Sequence, residues 1–226
     1  MFFIESTAGS RKKNPLLSTS DPQKIVTIAR LTNNGRLIKQ FIKYIWDKYF
    51  TVQFADALRE AFDTHGTKRT YAKGEFIIRE GELERSVYRI DSGLVRVFLV
   101  TEFEEQTIRF GYKGSIINSL SSFLTGKPSE FYIDGLRKTT VASISQERFA
   151  TLVHTDADTL KSYTHMLESL ITQQIEREID LLTASPGERL KRVLKRSPNL
   201  FQEVPLKYIA SYLRMTPETL SRIRNS

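Results

Sequence analysis

Between Lys68 and Ile144 the chain never sustains a helical pattern, and this stretch constrains the fold more than any other. It offers short β-branched or aromatic runs: EFIIREGE, SVYRI, GLVRVFLV, EQTIRFGY, SEFYIDGL and TTVASI. Turn signals separate them, KG at 73–74, EGE at 80–82, DSG at 91–93 and YKG at 112–114. Short strands at roughly ten-residue spacing, with no internal repeat, predict a sandwich or barrel. VRVFLV alternates only in part, with Arg96 between Val95 and Val97. Helical spacing returns at about Gln146. From Thr159 to Leu182 an apolar stripe runs through Leu160, Tyr163, Leu167, Leu170, Ile171, Ile175, Ile179 and Leu182. A stripe this long can pack on the β domain or pair with the same helix of a second subunit. In a pair, Gln174 would be the polar position that sets register.

The long helix must stop at SPGE, 185–188. Ser185 can cap a new helix, Pro186 suits its first position, and Glu188 can complete a capping box, so a boundary or hinge falls at 183–186. A basic helix follows from Arg189 to Arg196, then the turn SPN. Two short helical patterns close the chain, LKYIASYL (206–213) and PETLSRIR (217–224), with Ile209, Ala210, Leu213, Leu220 and Ile223 facing inward. Thr216 can cap the second helix, Pro217 fits its first position, and Glu218 suits its first turn. Two helices around a tight turn are the parts of a helix-turn-helix, whose second helix meets base edges in the major groove with its N-terminal end. There Glu218 can accept from a cytosine amino group and Arg222 can bond guanine bidentately. Thr216, Thr219 and Ser221 are short donors suited to phosphates.

Charge agrees with a polyanionic partner. Residues 184–226 carry nine Lys/Arg against three Asp/Glu, residues 1–50 the same, and the total of +8 leaves −4 for 51–183. With no cysteine, disulfides and a thiolate-held iron–sulfur cluster are excluded, which suits a reducing cytoplasm. No apolar run approaches the ~18–20 residues of a membrane span. The start, MFFIESTAG, lacks the regions of a signal peptide. There is no Walker-type loop, G-x-S-x-G or HExxH, and no carboxylate spacing singles out a catalytic pair, so no enzyme is expected.

The order and spacing of KGEFIIREGE, SGLVRVF, TIRFGYKGSIINSLSSFLTGKPSEFYI and YIASYLRMTPETLSRIR resemble the bacterial Crp/Fnr family of transcription regulators, closest to a Bacteroidetes-type branch. The resemblance covers roughly 37–226. It implies an α+β chain: an N-terminal β-roll of double-stranded jelly-roll type with flanking helices, a long dimerisation helix and a C-terminal helix-turn-helix. The expected boundaries are a basic, poorly ordered extension 1–36, a cyclic-nucleotide-binding-like effector domain 37–158, the dimer helix 159–183, and a DNA-binding unit 184–226 without the usual β-wing. It implies a homodimer, promoter DNA as partner, RNA polymerase as a further candidate partner, and no membrane. Thr216, Pro217, Glu218, Thr219, Ser221 and Arg222 are the expected DNA-binding residues.

Two departures bear on the effector. Cyclic-AMP-binding members hold the ribose with a glycine–glutamate pair and the cyclic phosphate with an arginine–serine pair. Here these positions are Asn118–Ser119 and Ser129–Glu130, and a carboxylate at Glu130 reverses the sign of the phosphate interaction. On the long helix, Gln174–Ile175 replaces the hydroxyl pair aimed at adenine. The candidate effector pocket is therefore Gly114, Asn118, Ser119, Ser129, Glu130 and Gln174, with cyclic AMP not expected and the effector open. His65 and His165 could ligate haem iron, but surface histidines are the expected reading. The competing class is a ligand-sensing or protein-interaction module of the same fold that does not bind DNA specifically.

Overall fold

A computed structural model describes residues 54–225. The extension 1–36 lies outside the described residues, as do QKIVTIARL, whose pattern predicts a short amphipathic helix, and Leu37, Ile38, Phe41, Ile42 and Ile45, whose spacing is helical. Helix α1 spans 54–65 and places Phe54, Leu58 and Phe62 one turn apart on one buried face. Eight strands follow: β1 (Thr67–Tyr71), β2 (Phe76–Ile78), β3 (Ser86–Ser92), β4 (Leu94–Val100), β5 (Glu105–Tyr112), β6 (Ile116–Ile117), β7 (Tyr132–Gly135) and β8 (Thr139–Ser145). They form two antiparallel four-stranded sheets, ordered β1-β8-β3-β6 and β2-β7-β4-β5, which is jelly-roll connectivity.

All six runs read as strands carry β-structure. Two strands escape the pattern: TKRTY of β1, exposed at four of five positions, and the two-residue β6. Between the sheets lie Tyr71, Ile77, Ile78, Ile90, Val95, Val97, Ile117, Ile133 and Val141. The β3–β4 turn requires Gly93, whose φ is +101°. A Cβ there would lie 2.6 Å from Thr139 Cα and 2.7 Å from Lys138 O.

The helices are α2 (Leu120–Thr125), α3 (Gln146–Val153), α4 (Ala157–Leu182), α5 (Pro186–Arg196), α6 (Leu200–Glu203), α7 (Leu206–Tyr212) and α8 (Pro217–Arg224). Four of their starts, those of α3, α4, α5 and α8, are capped by side chains: Asp156 Oδ1 accepts from Thr159 N at 2.7 Å, and Ser185 Oγ from Glu188 N at 3.4 Å. The long stripe divides between two faces. Met166 and Leu170 are buried and Tyr163 packs into the cluster of Phe54, Phe123 and Phe149, whereas Leu160, Ile171, Ile175, Ile179 and Leu182 are exposed. A stripe read as one surface is thus a β-roll face beside a separate, uncovered apolar face.

The segment after α4 is braced. Asp180, fully buried, receives Arg192 Nε at 2.9 Å and the Arg196 guanidinium, and Glu176 receives Arg192 Nη2 at 2.9 Å. The basic character of α5 therefore serves partly to tie it back to α4. Arg189, also buried, donates to Thr183 O, Leu213 O and Arg214 O, joining the α4–α5 link to the turn before α8. The C-terminal helices share one core with the β-roll. Leu94, Phe110 and Leu136 of the sheets cluster with Leu190, Val193, Leu200, Val204, Ile209, Ala210, Leu213 and Leu220.

This packing explains a departure from strand alternation. The first five residues of β4, Arg96 included, are all buried. One face meets the opposite sheet; over the other, the Arg96 guanidinium lies 4.6 Å from the Tyr208 ring of α7.

Candidate nucleic-acid interface

Helices α7 and α8 pack through Ala210 and Leu220, and a small residue at 210 lets the backbones approach closely. The turn between them contains Arg214 in a left-handed conformation, φ 53°. Thr216 Oγ1 accepts from Thr219 N at 3.2 Å, capping α8. Hydrogen bonds from its own backbone N–H and from Thr216 hold the Glu218 carboxyl below the usual carboxylate range. Thr216, Pro217, Glu218 and Arg222 are exposed, with Glu218 and Arg222 one turn apart. Thr219 and Ser221 are half-buried, so their side chains are less outward than the sequence pattern suggests. Lys207, Arg214, Arg222 and Arg224 are all exposed on these two helices and their turn.

The front of α8 opens on a cleft of about 660 Å³. Thr216, Pro217 and Glu218 form one side; Glu104 and Gln106 of the β4–β5 hairpin form the other. Ser211 of α7 fastens the two together. Its Oγ accepts from Thr107 N at 2.9 Å and donates to Glu105 O at 3.0 Å. No sequence pattern flags this serine, because its partners are backbone groups more than a hundred positions away.

The residues expected to form an effector pocket do not all converge. Ser119 and Ser129 meet, Oγ to Oγ at 2.8 Å, both buried. Gly114 sits in the turn after β5, its N donating to Ile90 O, beside α1. Glu130 is exposed, and Gln174 Oε1 accepts from Arg109 Nη2 at 2.6 Å rather than joining the serines. Asn118 precedes Ser119 and is half-buried.

Sequence reasoning missed the centre of the serine cluster, Glu84. This carboxylate is 3% exposed and accepts from Ser86 N at 3.0 Å, Tyr88 Oη at 3.2 Å and Ser119 N at 3.3 Å. Glu84 lies just past the turn signal EGE (80–82), and nothing local signals that it turns inward.

Burial raises the Glu84 pKa in spite of these bonds. A carboxyl whose pKa is higher folded than unfolded contributes stability below the unfolded value and loses it as pH rises through the folded one. Stability is therefore expected to fall from the ordinary carboxylate range upward through the raised value, and Glu84→Gln should flatten that fall. Urea midpoints of both proteins across pH read the difference; parallel profiles would rule Glu84 out as its source.

Residues 68–156 match the cyclic nucleotide-binding domain family. No curated protein sequence matches the chain. Among solved structures, FixK2 from Bradyrhizobium japonicum superposes with a TM-score of 0.61 at 20% identity, over 71% of this chain and 83% of that one. The c-di-GMP responsive global regulator CLP of Xanthomonas campestris gives 0.58 at 17% identity, over 76% and 90%. A CooA mutant from Carboxydothermus hydrogenoformans gives 0.55 at 19%, over 71% and 75%. These likenesses establish the fold. Among the described residues, no helix is long and apolar enough to cross a membrane. No group of three His, Cys, Asp or Glu among them could hold a metal ion. His165 lies on α4 with Nδ1 2.9 Å from Glu168.

Proposed function

We propose that this chain is a homodimeric, sequence-specific DNA-binding transcription regulator of Crp/Fnr type, cytoplasmic and without enzymatic activity. The observation that carries this reading is the construction of α8. A capped start and fully buried Leu220 fix the helix, while Glu218 and Arg222 stand exposed one turn apart amid basic side chains. Such a helix can enter the major groove front end first. The uncovered face of Leu160, Ile171, Ile175, Ile179 and Leu182 on α4 is suited to a second copy, which would pair two α8 helices for a palindromic site.

The mechanism we favour is two-state. The front of α8 shares its cleft with the acidic β4–β5 hairpin. At the same contact Gln106 Oε1 and Thr107 Oγ1 are buried without hydrogen-bond partners among the described residues, an unfavourable contribution of about 1–3 kcal/mol each. A docking surface with such orphans has less to lose on separating, and DNA would select the arrangement that sets paired helices about 34 Å apart.

Cyclic AMP does not fit this reading. Ser119 and Ser129 bond one another, and the Glu84 carboxylate already takes the Ser119 N–H that a phosphate would seek.

Binding selection from genomic fragments, followed by gel shift, tests the reading. The wild type is expected to choose a palindromic site. Arg222→Ala should abolish the preference, and Glu218→Ala should relax it at one base pair by about 1–3 kcal/mol. Equal binding to selected and random DNA at every salt concentration would favour a sensing module without specific DNA binding.

A further inference from the structure

A second cleft, of about 460 Å³, lies where β5, the C-terminal half of α4 and the start of the C-terminal unit meet. Its size is that of a small-molecule site. Phe110, Tyr112, Leu200 and Tyr212 supply apolar wall, while three charged groups on it belong to two balanced sets. Glu176 and Arg196 belong to the cluster with Arg192 and Asp180, and Glu203 pairs with Arg137 at 2.7 Å.

Arg109 and Arg177 also line the cleft, and neither has a carboxylate within ion-pair distance among the described residues. Arg177 is only 8% exposed. One of its nitrogens donates to Tyr212 O, its guanidinium carbon lies 3.7 Å from the Tyr212 ring centre, and Nη1 has no hydrogen-bond partner among the described residues. Among the described residues, the hydrogen-bond partner of Arg109 is the neutral amide of Gln174. Burial lowers the pKa of both arginines; at Arg177, Tyr212 and the Asp180 carboxylate oppose that shift, and the charges of Arg214 and Arg109 add to it. A buried guanidinium and a half-buried one, neither in contact with a carboxylate among the described residues, are an expensive arrangement unless an anion meets them. Unsatisfied, desolvated charge beside aromatic wall is the environment of a binding site.

We propose that this cleft binds a small organic dianion, a phosphate monoester or a dicarboxylate, with its anionic groups on Arg109 and Arg177 and its apolar body against Phe110, Tyr112 and Tyr212. Guanidinium forks match either anion in planar, bidentate fashion. The site is distinct from the Ser119–Ser129–Glu84 cluster. Arg109 belongs to β5, Arg177 to α4 and Tyr212 to α7, so the ligand would tie β-roll, long helix and C-terminal helices together. Only its role as an effector rests on the regulator reading above; binding does not.

The test is titration of the full chain by calorimetry, without DNA, using phenyl phosphate, phthalate and neutral benzamide. Phenyl phosphate or phthalate should bind saturably and benzamide should not; which of the two dianions binds identifies the head group. Arg177→Gln and Arg109→Gln should each weaken binding tenfold or more. Lys191→Gln, which removes one exposed positive charge from α5, should leave it unchanged. Arg109→Gln loses a single hydrogen bond to a surface amide, so it keeps the test open should Arg177→Gln fold poorly. Binding by neither dianion, equal binding of benzamide, or equal weakening by Lys191→Gln would overturn the proposal. A chain that binds no specific DNA yet binds the dianion would sink the regulator reading alone.

Discussion

Arg96→Ala should lower the unfolding free energy by about 3–5 kcal/mol. The side chain is 5% exposed and holds Asp134 bidentately, Nε at 3.1 Å and Nη2 at 2.9 Å, with Glu105 at 2.7 Å from Nη1. Burial works against its charge, but Asp134 and then Glu105 more than offset it and hold the pKa above the ordinary arginine value. Removing the guanidinium leaves the buried Asp134 carboxylate without its cation, and that stranded charge is the largest part of the loss. The stack between Phe98 at 3.8 Å and Tyr208 at 4.6 Å is lost too, loosening α7 on the sheet. The double variant Arg96→Met with Asp134→Leu removes both charges, and should recover to within about 1–2 kcal/mol of wild type. Urea denaturation of wild type, single and double variants decides it. A double variant as unstable as Arg96→Ala would mean that packing, not stranded charge, sets the effect.

What the sequence disclosed, and what it withheld, follows from how far each determinant reaches along the chain. Caps act within three residues, so Ser185 and Thr216 announce their helices, and the structure gives both side chains the expected backbone N–H. Strands reveal themselves when one face is buried and the residues are β-branched, as in SVYRI and TTVASI. TKRTY fails that test because its outward residues dominate, and its pairing with β8 spans some seventy positions. Arg96 misleads for a related reason. A charged residue between valines reads as the solvent face of a strand, but that face is covered by helices more than a hundred residues later. The exposed pair Glu218 and Arg222 was legible because it depends only on local helical geometry. Glu84, Ser211 and Arg177 were not, since each gains its meaning from partners brought close by the fold.

Leu220→Ala isolates that long-range dependence. Leu220 is fully buried and belongs to the same cluster as Leu94, Phe110 and Leu136 of the β-roll. Truncation removes about three carbons from a close-packed site and leaves a cavity, a loss of about 2–5 kcal/mol. Because the core is continuous, the loss is expected in one cooperative transition rather than in early melting of the C-terminal helices. Fluorescence and circular dichroism should report the same lowered urea midpoint. Glu218→Ala, on the same helix but exposed, should leave that midpoint nearly unchanged while relaxing base preference. Two separated transitions in Leu220→Ala would show instead that the C-terminal helices fold as an independent unit, with contacts to the sheet too weak to couple them. In that case the brace from Asp180 to Arg192 and Arg196, not the shared core, would be what positions α8.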